Sequence, residues 1–148
     1  RGAGIDGRGM MAIQFTVVQL TPFRTEITDP FGERSSIEFS GQFVQPDGTA
    51  VPSSSFLTLT LTLYVLNTAR TTIINAQNIL NADRGTVDSG GNLTIKLTLD
   101  DANMVDATKL SERRVALLRW TYTGPGDVTR GGAAEIIHTV VNLEKYPA

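Results

Sequence analysis

Residues 56–65 read Phe-Leu-Thr-Leu-Thr-Leu-Thr-Leu-Tyr-Val, and this run restricts the fold more than any other part of the chain. A period of two puts Leu57, Leu59, Leu61 and Leu63 on one side of an extended backbone and Thr58, Thr60 and Thr62 on the other. A 3.6-residue period would scatter the leucines around a cylinder. The run is a half-buried β-strand. The alternation returns at Leu93, Ile95, Leu97 and Leu99, interleaved with Thr94, Lys96 and Thr98, and again at Ile37, Phe39 and Phe43. Strands that are apolar on one side need a second layer to cover them.

Turn chemistry divides the chain. A first strand is expected from Ala12 to Leu20, ended by Pro22, which disfavours a central strand. Residues 21–34, with Pro22, Asp29-Pro30 and Gly32, read as a crossing segment. A second strand over 35–44 closes at Gln45-Pro46-Asp47-Gly48, where proline presets one φ angle and glycine supplies a positive one. A strand over 71–75 follows the leucine-threonine run. Residues 75–83, with three asparagines, fit either a single helical turn or an edge loop. Asp88-Ser89-Gly90-Gly91-Asn92 is a turn opening the strand over 93–99.

Residues 100–105 are the one place where a short helix fits, with Asp100 as its cap. Arg113 to Thr123 is expected as a central strand, Ala116, Leu118, Trp120 and Tyr122 facing one way and Val115, Leu117, Arg119 and Thr121 the other. Gly124-Pro125-Gly126-Asp127 and Gly131-Gly132 bracket a hairpin loop, and Ala134 to Leu143 returns as the last strand. The class implied is all-β: an antiparallel β-sandwich, immunoglobulin-like or jelly-roll-like, with seven to eight strands and one short helix.

The glycine-rich residues 1–11 read as a flexible arm or a tag remnant, since Ile5-Asp6-Gly7-Arg8 resembles the cleavage sequence of factor Xa. Residues 12–148 then form one sandwich domain, a size that buries about two-thirds of its unfolded surface. The chain has no cysteine, which excludes disulfides, thiolate catalysis and Cys-based zinc sites. Its 13 basic and 15 acidic residues are dispersed, and Arg113-Arg114, the one adjacent basic pair, reads as a solvated strand entrance. Such a surface offers no track for phosphates, so nucleic acid is not expected as a partner. No apolar run approaches the ~18 to 20 residues of a membrane span, and no membrane partner is expected.

Candidate chemistry is sparse. His138 is the single histidine, so a His-His metal pair cannot form, and a strand histidine with structural surroundings is the expectation. No nucleophile elbow, phosphate-cradling loop or His-Glu-x-x-His run is present. Asp100 with Asp101, or Glu135 with Glu144, are the available carboxylate pairs for glycosidase work, but neighbours on a strand point to opposite faces. Asp100, Asp101, Asn103 and Asp106 are spaced somewhat like calcium ligands, yet lack the glycine and terminal glutamate of an EF-hand. Trp120 and Tyr122 suit a core better than an exposed sugar platform. No catalytic, cofactor-binding or metal-binding residue is assigned, no cofactor is expected, and the chain is expected not to be an enzyme.

Gly91-Asn92-Leu93-Thr94-Ile95-Lys96-Leu97-Thr98-Leu99, a short acidic corner, the strand from Arg114 to Tyr122 and the closing strand from Ala134 to Leu143 form one layout. That layout resembles the small immunoglobulin-like and upper-baseplate-like β-sandwich virion proteins of tailed bacteriophages. The resemblance covers about the last 60 residues and rests on layout. It implies a structural subunit of the virion, a capsid-decoration, neck or baseplate accessory protein, assembled in the bacterial host cytoplasm. The long segment 21–34 departs from the short immunoglobulin pattern. Lys96, Lys109 and Lys145 are the only lysines, which leaves sheet edges little defended, so a homo-oligomer, trimer or dimer, or contact with other virion proteins is expected. The alternative is a surface adhesion or carbohydrate-binding module.

Overall fold

The computed structural model describes residues 3–5, 11–18, 23–45 and 48–145, with side chains described from residue 24 onward. Residues 1–2, 6–10, 19–22, 46–47 and 146–148 lie outside the described residues, among them most of the amino-terminal arm, the expected strand end at Leu20, Pro22 and Pro46-Asp47. In chain order the strands are β1 (Ala3–Ile5), β2 (Met11–Val18), β3 (Phe23–Glu26), β4 (Phe31–Gly32), β5 (Ile37–Val44), β6 (Phe56–Val65), β7 (Thr72–Asn78), β8 (Gly85–Val87), β9 (Asn92–Leu97), β10 (Ser111–Thr123) and β11 (Thr129–Val141). Short 3-10 turns occur at Ser53–Ser55, Asp100–Ala102 and Pro125–Asp127.

Two sheets form, one in the order β1-β2-β5-β9-β8 and one in the order β3-β11-β10-β6-β7, with β4 also paired to β11. The all-β, two-sheet class is as expected. Two details differ. Several strands are only two or three residues long, so the described chain has more of them than seven or eight. The sheets are also not wholly antiparallel: β2 with β5, β3 with β11 and β4 with β11 are parallel.

Residues 23–34, the described part of the crossing segment, are the cause. Parallel neighbours need a long crossover, and here the crossover from β2 to β5 passes along the opposite sheet, where it becomes an edge. Pro30, which has no amide, falls between β3 and β4 and splits that edge in two. The Ile27 amide still donates to the Ile137 carbonyl at 2.8 Å.

Between the sheets lies the core. Phe39, Phe43, Leu93 and Ile95 from one sheet meet Leu59, Leu61, Leu63, Ala116, Leu118 and Trp120 from the other, all buried. Phe43 is the aromatic centre, edge-on to Trp120 at 5.0 Å and to Phe56 at 4.9 Å between ring centroids. Each such ring or leucine contributes about 1.5–3 kcal/mol on burial.

Leu57 does not share the leucine face. It is 54 % exposed, while Phe56 is buried. Thr121 pairs with Thr58 but Tyr122 pairs with Phe56, so the ladder slips there and Leu57 is the extra residue. The slip turns Phe56 toward Phe43 and Tyr122, whose rings bury more area than the leucine would.

The turns follow their residues. The hairpin after β5 is held by Gln45 N to Thr49 O and Gly48 N to Gln45 O, both 2.8 Å, with Gly48 at φ 90°. Between β8 and β9, Asp88 Oδ1 accepts from the amides of Gly90 (2.8 Å) and Asn92 (2.9 Å). The asparagines of 75–83 belong to β7 and the loop after it. Asn78 Oδ1 accepts from the Leu80 amide, Asn81 Oδ1 from the Val87 amide, and Asn81 itself sits at φ 50°. Gly131 and Gly132 lie inside β11, and the hairpin loop is shorter than expected.

Sheet edges are blunted without lysine. β7 slips register twice and takes its Ala76 amide to Thr62 Oγ1 at 3.0 Å, β8 has three residues, and β3 and β4 are separated.

Candidate functional site

The acidic corner is a clamp. Asp101, and not Asp100, holds the turn after β9: its Oδ2 accepts from the Thr98 amide at 2.8 Å, and its own amide donates to Thr98 Oγ1 at 3.1 Å. Asp100 makes no side-chain cap; it is exposed, with Arg34 Nη1 at 3.8 Å. Arg84 pairs with Asp101 through both arms, Nε to Oδ2 at 2.6 Å and Nη2 to Oδ1 at 3.0 Å, and also bonds Gln77 Oε1. Burial disfavours the Asp101 charge, but Arg84 and the Thr98 amide outweigh it and hold its carboxyl below the ordinary range. The hydrogen bond to Asp101 in turn raises the Arg84 guanidinium.

Arg114 overturns the solvated reading of the basic pair. Its side chain is fully buried. Nη2 donates to Glu112 Oε1 at 2.8 Å and to the Asn103 carbonyl, and Nη1 donates to the Asp101 carbonyl. Glu112 also accepts from the amides of Val105 (3.0 Å) and Asp106 (2.6 Å). An arginine at this position satisfies carbonyls of the 3-10 turn and the loop after it, which take no backbone partner there. Arg113, pointing to the other face, pairs with Glu26 at 2.9 Å in solvent.

The residues spaced somewhat like calcium ligands are tied to other partners. Asn103 Oδ1 accepts from Arg34 at 3.0 Å, and Asp106 Oδ1 accepts from the Thr108 amide and hydroxyl. Among the described residues no group of three or more histidines and carboxylates is placed to hold a metal ion. Glu135 pairs with Arg24 at 2.9 Å, and Glu144 lies beyond β11. Thr58 and Thr60 face outward, Thr58 Oγ1 sharing a hydrogen bond with Thr121 Oγ1 at 2.7 Å.

His138 is sealed in the core. Phe31 lies 6.0 Å and Phe39 5.2 Å from its ring, both edge-on, and neither ring nitrogen has a partner in hydrogen-bond geometry. Burial pushes its pKa down to about 4; the nearby Ile136 carbonyl opposes this slightly and the Arg114 charge adds to it. A neutral, enclosed imidazole has no route to a substrate. Trp120 and Tyr122 are buried too, so neither forms an open sugar platform.

Sequence reasoning missed the outer face of the β10 sheet. Val115 pairs with Tyr64 on one side and Ile137 on the other, so the three stand in a row across β6, β10 and β11. They form an apolar cluster of their own, each less than a tenth exposed, with Leu117 packed against it. Long charged side chains roof the cluster. The Arg70 guanidinium lies 4.4 Å over the Tyr64 ring, and Arg24 spans to Glu135. Between these roofs is a cleft of about 390 Å³, with Asn67 on its rim. The signal was present in the apolar outer set Val115 and Leu117, but no pattern indicated that Tyr64 and Arg70 would meet them.

Fold and site define an all-β, two-sheet protein with a clamped corner and a charge-rimmed cleft on an outer face. No family model and no curated protein matches the chain. Among solved structures it is similar to the N-terminal domain of phage TP901-1 ORF48, at 12% identity and a TM-score of 0.37, over 84% of this chain and 97% of that one. A likeness at that level carries no weight for what this chain does.

Proposed function

We propose that the chain is a non-enzymatic structural subunit of a bacteriophage virion, a capsid-decoration, neck or baseplate accessory protein that joins copies of itself or neighbouring virion proteins. The observation that supports this best is the cleft on an outer sheet face, lined by Leu66, Arg70, Arg24 and Glu135 above the apolar row Tyr64, Val115 and Ile137. The row itself is buried, and the exposed apolar wall of the cleft is Leu66, 43 % exposed; an open cleft with an apolar wall and a charged rim suits a protein contact. The groups with catalytic potential are committed elsewhere: Asp101, Glu112 and Arg114 hold the corner, and His138 is enclosed. Contact through this face suits the blunted edges better than strand-to-strand docking does. Neither nucleic acid nor membrane enters this reading, and assembly takes place in the host cytoplasm.

Co-sedimentation of the purified protein with phage particles from the same host tests the proposal. The protein should pellet with particles and stay in the supernatant without them. A second reading, a surface adhesion or carbohydrate-binding module, draws on the polar groove of about 270 Å³ on the other sheet, between Glu38, Asp83, Thr94 and Lys96. Glycan-array binding without particle binding would favour it.

A further inference from the structure

Charges on the outer face of the β3-β11-β10-β6 sheet do not balance. Pairing register puts Arg113 and Arg119 of β10, Glu135 of β11, and Arg24 and Glu26 of β3 at outward positions, and Arg70 joins them over the Tyr64 ring. The face carries four arginines against two glutamates, in a chain whose formal net charge is −2. Both glutamates are taken, Glu135 by Arg24 and Glu26 by Arg113, each at 2.9 Å. Arg70 and Arg119 are exposed and have no carboxylate partner among the described residues.

The two free guanidiniums stand at a defined spacing. Arg119 pairs with Thr60 and Val115 with Tyr64 in the β6–β10 ladder, so Arg119 and the Tyr64 position under Arg70 are four residues apart, about 13 Å of strand. Leu117 lies between them, partly exposed, and Leu66 forms the apolar wall beside Arg70. Both free cations are arginines, whose planar fork takes a carboxylate through two parallel hydrogen bonds and sheds water more readily than an ammonium does. None of the lysines lies on β3, β6, β10 or β11. A nucleic-acid strand presents a charge every ~3.4 Å, and Glu26 and Glu135 among the arginines would repel such a continuous row. Mixed charge around an apolar wall fits a protein surface instead.

From this imbalance we infer that the face docks an acidic surface of a neighbouring virion protein, Arg70 and Arg119 taking two carboxylates about 13 Å apart and Leu66 adding the apolar contact beside Arg70. The contact deepens the assembly reading given above and rests on it. Attraction between the free guanidiniums and the partner's acids steers the encounter and sets its salt dependence.

Two measurements read the contact. Binding to immobilised poly-L-glutamate tests the chemistry of the face, and co-sedimentation with phage particles tests the partner. Wild type should bind poly-L-glutamate at low salt, more weakly as salt is raised, and more tightly than it binds duplex DNA or heparin. The double variant Arg70→Glu/Arg119→Glu should weaken both poly-L-glutamate and particle binding about tenfold or more, while Lys96→Glu, on the other sheet, should leave both unchanged. Near-UV circular dichroism of each variant should match wild type, since the substituted residues are exposed. A wild type that ignores poly-L-glutamate, or a double variant that binds it as wild type does, overturns the site. Tighter binding to duplex DNA or heparin overturns the protein partner. A double variant that pellets with particles as wild type does overturns the docking and leaves the virion reading standing. A wild type that binds poly-L-glutamate through Arg70 and Arg119 yet stays out of the particle pellet sinks the virion partner and leaves the carboxylate site. Self-association of wild type that the double variant abolishes overturns the choice of partner in favour of a second copy.

Discussion

Glu112 and Arg114, two residues apart on β10, form an ion pair at 2.8 Å with both side chains sealed from solvent. Their pairing links the strand to the loop after β9, because the same two groups satisfy the Val105 and Asp106 amides and the Asp101 and Asn103 carbonyls. Removing one member strands the other charge in the interior. Glu112→Ala should therefore cost about 3–5 kcal/mol, whereas Glu26→Ala, which breaks the solvated pair with Arg113 at 2.9 Å, should cost at most about 1 kcal/mol. Urea unfolding of the two variants checks the contrast, and equal losses would mean that the corner pair is wetted.

His138 makes stability depend on pH. The folded chain keeps the ring neutral down to about pH 4, while the unfolded chain takes up a proton near 6.5. Between those values the unfolded state binds more protons, so this contribution is complete above about pH 6.5, falls as pH drops and levels off near pH 4. It amounts to about 3 kcal/mol. His138→Phe, which keeps a ring between Phe31 and Phe39, should remove that component from a urea series run from pH 7.5 to 4. A variant with the same pH slope as wild type would contradict it.

Truncations along β6 test the slip at its start. Leu61→Ala should cost about 2–5 kcal/mol, and Leu57→Ala and Thr58→Ala about 0.5 kcal/mol or less. A large loss at Leu57 would restore the unbroken alternation.

Two turn glycines separate backbone strain from crowding. Gly48 and Gly91 both have positive φ, at 90° and 76°, but a Cβ at Gly48 meets nothing within 4 Å, whereas one at Gly91 lies 2.8 Å from the carbonyl oxygens of Phe43 and Val51. Gly48→Ala should cost about 1–2 kcal/mol. Gly91→Ala should cost about 2–5 kcal/mol, since backbone atoms must also move. Thermal melts of both variants give the difference.

Much of the core could be read from the chain because a period of two is a local property. Leu59, Leu61, Leu93, Ile95 and Ala116 to Trp120 sit on the sides their spacing dictates. What could not be read depends on pairing between distant segments. The slip that exposes Leu57 is set by Tyr122, and the burial of Arg114 is set by carbonyls of residues 101 and 103 that only the folded loop presents. Parallel pairing of Phe23–Glu26 and Phe31–Gly32 with β11 has no local signature at all. The outer cleft joins Tyr64, Arg70, Val115 and Ile137 from three parts of the chain, and alternation alone indicates just the apolar half of it.

Assembly into a phage particle is the central claim, and mass spectrometry of gradient-purified particles from the host that encodes this chain tests it most directly. Its peptides should band with the capsid or tail proteins in a fixed ratio that survives re-banding. Recovery of the chain solely in the particle-free fraction, with none in the banded particles, would contradict the account.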